Sequence, residues 1–264
     1  MNEQLSPLAA VLRRALEQKT PCAPLTSSMP SLSVEDAYAI QAHNVAQRLA
    51  CGLDGKPARL VGHKIGITSR AVMNWLQVDQ PDFGCLLSDM VVPHGGTAET
   101  SWLVQPRVEG EVAFVLRRRL AGPGVTAADV LAATDFLLPA LEIIDSRIAD
   151  WKITYPDTIA DNASSGLFVL GSDPVRPHGV ELDLAGMVLR KNGRVVSTGV
   201  GAACLDHPVN AVVWLANKLG EMGHMLEPGH VILSGALGPV APVSSGDEIE
   251  VEIAHVGRCS VRFA

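Results

Sequence analysis

The sequence predicts an α+β protein, with a helical N-terminal section over residues 1–58 and a larger β-rich domain over residues 59–264. Three observations carry this. Capping residues and one-sided apolar positions dominate the first sixty or so residues. After Ala58 the pattern changes to short apolar runs divided by Gly and Pro. Those runs do not alternate regularly with long helical patterns, which argues against a doubly wound parallel sheet. The chain has 264 residues, 47% apolar and 19% charged, a globular balance with length enough for a large core.

Each element has a local reason. Ser6-Pro7 reads as a helix start, with Leu8, Val11, Leu12 and Leu16 on one face. A Pro/Ser-rich connection, Thr20–Leu32, leads to a second helix from Ser33 to about Ala50, where Asp36 completes a capping-box pattern. The Gly52–Pro57 cluster closes the helical section. Leu60–Ile67 reads as a strand and Ser69–Leu76 as a short helix. Arg107–Arg117 alternates for about ten residues and is the clearest strand signal. Thr126–Thr134 reads as a short capped helix and Leu137–Ile144 as an apolar run. Gly186–Arg190 and Arg194–Thr198 flank an Asn192-Gly193 hairpin turn. Pro208–Leu219 reads as a helix; His230–Ser234, Glu248–Ala254 and Arg258–Phe263 read as strands.

Composition narrows the function. Twenty-eight acidic against 21 basic residues give a net charge of −7, which argues against a nucleic-acid binder, and 4% aromatics argue against a base-stacking surface. Five cysteines with no CxxC pair fit reduced thiols in the cytoplasm better than a disulfide framework. Met1–Gln18 lacks the pattern of a signal peptide, and no uninterrupted apolar stretch is long enough to span a membrane.

The sharpest chemical signal is Val108-Glu109-Gly110-Glu111-Val112-Ala113-Phe114-Val115. Period-two geometry puts Glu109 and Glu111 on one face and Val108, Val112 and Phe114 on the other. The pair reads either as two buried anions that need a cation or as two solvated carboxylates at a strand end. Glu142 is a lone carboxylate inside the apolar run 137–144, either partnered in the interior or at a water-facing edge. Together the three form an all-oxygen set suited to Mg²⁺ or Mn²⁺ rather than zinc. Lys64, flanked by glycines, points into a cavity or snorkels from an edge. Asp82 lies in a turn-rich stretch and reads as a loop acid or an Asx turn. Ser164, in a polar loop, and Ser234, at a strand end, are candidate hydrogen-bonding groups.

Six ordered blocks resemble the 2-keto-4-pentenoate hydratase family of the fumarylacetoacetate hydrolase superfamily. They are GHKIGITS at 62–69, DQPDFG at 79–84, QPRVEGEVAF at 105–114, PALEIIDSR at 139–147, DNASS at 161–165 and ILSGALGP at 232–239. The resemblance implies a mixed β roll with flanking helices. It implies Mg²⁺ or Mn²⁺ held by Glu109, Glu111 and Glu142, with Lys64 and Asp82 matching the family's strand lysine and loop aspartate. Hydration of 2-hydroxypenta-2,4-dienoate to 4-hydroxy-2-oxopentanoate in the meta-cleavage degradation of aromatic compounds is the implied activity. Decarboxylation of 2-oxo-3-hexenedioate and non-catalytic keto-acid binding are the alternatives. On this basis Asp82 is expected to shuttle protons with help from Lys64, and Ser164 and Ser234 to bind substrate or water. A homo-oligomer, associating with the pathway decarboxylase, is the expected assembly.

Overall fold

The computed structural model describes residues 4–53 and 55–264. The first residues of the Met1–Gln18 segment and Asp54 in the Gly52–Pro57 turn lie outside that range. Three helices come first: α1 (Ser6–Gln18), α2 (Leu25–Ser28) and α3 (Val34–Cys51). The N-cap of α1 is Leu5, one residue before the expected Ser6, because Pro7 is accommodated anywhere in the first turn. The Ser33 hydroxyl caps α3 by accepting from Asp36 N.

The remainder runs β1 (Leu60–Gly66), α4 (Arg70–Leu76), β2 (Asp82–Leu87), β3 (Val91–Val92), β4 (Thr97–Ala98), β5 (Pro106–Leu116), α5 (Ala127–Ala133) and β6 (Thr134–Asp145). It continues α6 (Tyr155–Ala160), β7 (Ser165–Leu170), β8 (Gly186–Lys191), β9 (Arg194–Val200), α7 (Pro208–Glu221), β10 (Val231–Leu233), β11 (Ala241–Pro242), β12 (Glu248–Ile253) and β13 (Gly257–Phe263). One sheet has the order β2-β1-β10-β5-β6-β7-β3, with β11 added to β5; the second has the order β4-β13-β12-β8-β9. Parallel pairs (β1 with β10, β3 with β7, β13 with β4) and antiparallel pairs coexist, so both sheets are mixed.

The two faces of β5 have different neighbours. Val108, Gly110, Val112 and Phe114 turn toward the second sheet. A Cβ at Gly110 would lie 2.6 Å from Val251 and 3.3 Å from Met187, so the two layers approach closely there. The other face carries Arg107, Glu109 and Glu111. The N-terminal helices share one hydrophobic core with both sheets. Polar ties reinforce the contact: Gln41 Nε2 on α3 donates to Phe83 O and Ile159 O, at 2.9 and 3.0 Å. On α2, Thr26 N and Oγ1 donate to the buried Asp157 of α6.

No helix among the described residues is long and apolar enough to cross a membrane. All five cysteines are free.

Candidate active site

Strand register gathers the site. Glu109 on β5 pairs directly with Glu142 on β6, and directly paired residues face the same side. Across β10, Lys64 aligns with Leu233, which aligns with Ala113 of β5, so Lys64 shares the Glu109 and Glu111 face. On the far side of β1, Gly66 pairs with Asp82, which puts that carboxylate on the same face again. Asp82 is therefore the first residue of a strand rather than part of a loop. The Pro81 and Gly84 signals that suggested a turn are overridden by six registered pairs between β1 and β2.

All five charged side chains are buried: Lys64 3%, Asp82 1%, Glu109 8%, Glu111 0% and Glu142 1% exposed. One ligand oxygen from each of the three glutamates lies within 4.8 Å of the others. Lys64 Nζ is 3.2 Å from Glu142 Oε1. Glu111 Oε2 accepts from Gly235 N at 2.7 Å, and Asp82 Oδ2 accepts from Thr158 Oγ1 at 3.1 Å. Glu111 Oε1, both Glu142 oxygens and Asp82 Oδ1 are buried without a hydrogen-bond partner; the Lys64–Glu142 contact is an ion pair outside hydrogen-bonding geometry.

The electrostatics follow from this crowding. Burial and then Glu142 push Glu109 above the carboxylate range; Glu111 is pushed well above it by burial and by both of its neighbours. Burial raises Glu142 and Asp82 too, against the pull of Lys64. For Lys64, burial alone would lower the pKa, but Glu142, Asp82, Glu109 and Glu111 together outweigh it and raise it. One ammonium thus serves four carboxyl groups. The orphaned oxygens and all-oxygen donor set fit a hard divalent cation such as Mg²⁺ or Mn²⁺.

Two glycines keep the cluster tight. A Cβ on Gly66 would stand 2.2 Å from Asp82 Oδ1, so only hydrogen fits beside that carboxylate. Gly235 has φ +110°, and a Cβ there would meet the Thr68 side chain at 2.4 Å; its N–H is the donor to Glu111.

The site opens into a cleft of about 560 Å³, lined by Lys64, Asp82, Arg107, Glu109, Trp151 and Ser164 among others. Ser164 reaches it through an unusual backbone: Asn162, Ala163 and Ser164 are all left-handed, with φ 55°, 51° and 53°. Asn162 Oδ1 accepts from Cys85 N and its Nδ2 donates to Cys85 O, which clamps this turn to β2. The Ser164 hydroxyl is buried and unpartnered. Ser234 is fully buried but does not line the cleft; its hydroxyl has Gly235 O at 3.4 Å.

Sequence reasoning missed several contributors. Thr158, which donates to Asp82, sits on α6, whose Thr154–Asp157 capping box and Pro156 were readable as a helix start. Arg107 and Trp151 lie 44 positions apart and meet only in the fold, with the guanidinium carbon 4.6 Å from the indole centroid.

Comparison with known proteins shows the family of the chain. Residues 55–264 match the fumarylacetoacetate (FAA) hydrolase C-terminal family. The chain is 48% identical over 261 residues to 2-keto-4-pentenoate hydratase of Paraburkholderia xenovorans (strain LB400), covering 99% of this chain and 95% of that protein. It is 46% identical over 254 residues to 2-hydroxyhexa-2,4-dienoate hydratase of Comamonas testosteroni, covering 96% and 94%. Among solved structures it is similar to 4-oxalocrotonate decarboxylase from Pseudomonas putida G7, complexed with magnesium and adipate. That match has a TM-score of 0.94 and 36% identity, covering 100% of this chain and 98% of the other. The chain belongs to the fumarylacetoacetate hydrolase family and, within it, to the 2-keto-4-pentenoate hydratases.

Proposed function

We propose that the protein is a divalent-metal-dependent hydratase that adds water to 2-hydroxypenta-2,4-dienoate, giving 4-hydroxy-2-oxopentanoate in meta-cleavage degradation of aromatic compounds. The observation that carries this is three buried carboxylates, two of them with oxygens that lack a hydrogen-bond partner, beside a lysine and an aspartate on one sheet face. Glu109, Glu111 and Glu142 hold the cation, with Mg²⁺ or Mn²⁺ the fitting choices. When bound, the cation supplies Lewis acidity toward the 2-oxygen of the substrate.

The protein's own groups account for the proton movements. The enol O–H proton leaves and a proton is delivered to C5, giving a conjugated enone; water oxygen then bonds to C4 and a proton to C3. Asp82 carries these protons through Oδ1, its unpartnered oxygen, while Oδ2 stays fixed by Thr158. Burial favours the protonated acid, so Asp82 can both hold and release a proton. Lys64 remains an ammonium and stabilises negative charge as it develops on the substrate. The unpaired Ser164 hydroxyl faces the cleft as a hydrogen-bonding partner for substrate or attacking water. Ser234 lies off the cleft, next to Gly235, whose N–H donates to Glu111.

The reading carries with it a cytoplasmic location, supported by five free thiols. It also carries a homo-oligomer that associates with the decarboxylase of the same pathway.

The test follows dienol ultraviolet absorbance after adding protein and Mg²⁺, with the product assayed for CO₂. Loss of absorbance without CO₂ is expected. Release of CO₂ from 2-oxo-3-hexenedioate would favour the decarboxylase reading, which the likeness to 4-oxalocrotonate decarboxylase keeps in view. Glu109→Gln should lower turnover roughly a thousandfold or more, since Lewis-acid stabilisation supplies several kcal/mol. Full activity of that variant in metal-stripped buffer would refute the metal assignment.

A further inference from the structure

Arg107 is a second cation in the cleft, and the chemistry described above does not use it. It shares the β5 face with Glu109 and is half-buried at the cleft wall. Among the described residues no carboxylate forms an ion pair with it. Its recorded partner is the Trp151 ring, 4.6 Å from the guanidinium carbon. Among the described residues the guanidinium makes no hydrogen bond, so its fork of N–H donors is available to receive a planar carboxylate by two parallel hydrogen bonds while the indole holds it in place.

The ring that holds it is fixed in turn. Trp151 Nε1 donates to Gln105 O at 3.2 Å, and Gln105 Oε1 accepts from Asp150 N at 3.1 Å. Gln105 Nε2 donates to Ser146 O at 2.9 Å and to Ile148 O. Asp150 and Trp151 both adopt left-handed backbone, with φ 58° and 56°. Two consecutive residues in that region are costly and persist only where surrounding contacts hold them. The turn thus spends strain to place an indole under Arg107.

Position decides which part of the ligand Arg107 meets. Asp82 and Lys64 come from β2 and β1, on one side of the glutamates. Arg107 is on β5 itself, one pleat before Glu109 and opposite Ile144 of β6, whereas Lys64 aligns through Leu233 with Ala113, one pleat beyond Glu111, so the two cations flank the glutamates along the strand axis. Residues two apart on a strand are separated by about 6.8 Å, so Arg107 and a ligand group beside Glu109 are within side-chain reach. A dienoate with its reacting carbons toward Asp82 turns its carboxylate toward Arg107.

We propose that Arg107, held on Trp151, binds the C1 carboxylate of the substrate and fixes its direction in the cleft. The proposal rests on the hydratase reading for its substrate, but the binding itself can be tested with oxalate, a dicarboxylate that cannot be hydrated.

The experiment compares wild type, Arg107→Leu and Arg107→Lys in three measurements. Calorimetry gives Mg²⁺ affinity alone, then oxalate affinity of the Mg²⁺-loaded protein, and steady-state assays give KM and kcat for 2-hydroxypenta-2,4-dienoate. Losing a bidentate charged contact should raise both the oxalate Kd and KM roughly 10- to 100-fold in Arg107→Leu. Removal of binding common to ground and transition states should leave kcat within about threefold. Mg²⁺ affinity and melting temperature should stay near wild type. Arg107→Lys should fall between, because a point charge cannot form the paired contact.

Oxalate Kd and KM within about twofold of wild type would overturn the proposal, since such a contact is worth at least tenfold. So would a variant that weakens only a dicarboxylic dienoate, because Arg107 would then serve the distal end of the ligand. If wild type binds oxalate but hydrates no dienoate, the hydratase reading fails, and the oxalate comparison still decides the role of Arg107.

Discussion

Two buried charge clusters lie in this fold, and they differ in how completely they are satisfied. Around Arg147 and Asp161, nearly every polar atom has a partner. Arg147 Nε pairs with Asp161 Oδ1, Nη1 donates to Asp145 O and Ser165 O, and Nη2 donates to Asp161 O. Asp161 Oδ2 accepts from Arg147 N and Ser146 Oγ. The glutamate cluster is equally buried but has more carboxyl groups than cations and four oxygens without a hydrogen-bond partner, counting Asp82 Oδ1, one of them relieved only by the Lys64 ion pair. One cluster is closed and holds the backbone beside the left-handed turn at Asn162–Ser164. The other is open and needs something from outside. Satisfaction, more than burial, separates structural charge from functional charge here.

If that distinction holds, the largest stability effect comes from breaking the closed cluster. Arg147→Met leaves Asp161 buried without its counter-charge and several carbonyls without donors. The expected loss is about 3–5 kcal/mol, read by chemical denaturation in the presence of EDTA. The disturbance should also reach Ser164 through Asp161. A loss below about 1 kcal/mol, the range of a surface pair, would remove the contrast between the clusters.

The open cluster should instead reveal itself by its coupling to cations and protons. In the metal-free protein all three glutamates have raised pKa values, from burial first and mutual repulsion next, or in Glu142 from burial against the pull of Lys64. A cation must displace any protons they hold, so Mg²⁺ affinity should increase with pH above the ordinary carboxylate value of 4.5. The slope is up to about tenfold per pH unit for each proton released. The sign for folding is opposite. A carboxyl whose folded pKa is raised binds protons more tightly when folded, so metal-free stability should fall as pH rises from 4.5 through the raised values. Saturating Mg²⁺ should remove that fall. Calorimetry and EDTA denaturation curves at several pH values check both signs, and a Mg²⁺ affinity independent of pH would show that these carboxylates are already ionised.

How much of this was legible in the sequence depends on the range of the interaction. Glu109 and Glu111 shared a face by local alternation, and Glu142 stood out as one charge in an apolar run; β5–β6 register then made Glu109 and Glu142 direct neighbours. The ten-residue alternation and the Asn192-Gly193 hairpin were local signals and gave β5, β8 and β9 nearly in full. Asp82 read as a loop acid because Pro81 and Gly84 are turn residues, while its strand exists only through pairing with β1. Arg107 over Trp151 depends on two left-handed residues that carry no glycine signal. Burial of Lys64 was one of two open readings until three strands placed it. Family resemblance supplied the site as a set; physical reasoning from single segments supplied its parts unevenly.

The smallest effect is the most direct comparison of the two clusters. Glu111→Gln keeps shape and an acceptor for Gly235 N, and removes one ionisable group from the open cluster. Because ionising Glu111 is opposed by burial, Glu142 and Glu109 in turn, the neutral amide should stabilise the metal-free fold. The gain is expected to be measurable near neutral pH, where the unfolded carboxyl is ionised and the folded one is disfavoured as an anion. That gain should shrink toward pH 4.5, where Glu111 is protonated in the folded protein and its replacement changes little. Asp161→Asn, the matching change in the closed cluster, should destabilise, because Arg147 loses the anion it is built around. The same conservative substitution thus carries opposite signs at two equally buried sites. Denaturation in EDTA at neutral pH decides it: a destabilised Glu111→Gln would mean that the glutamates already satisfy one another and that the cluster does not depend on a cation for its balance.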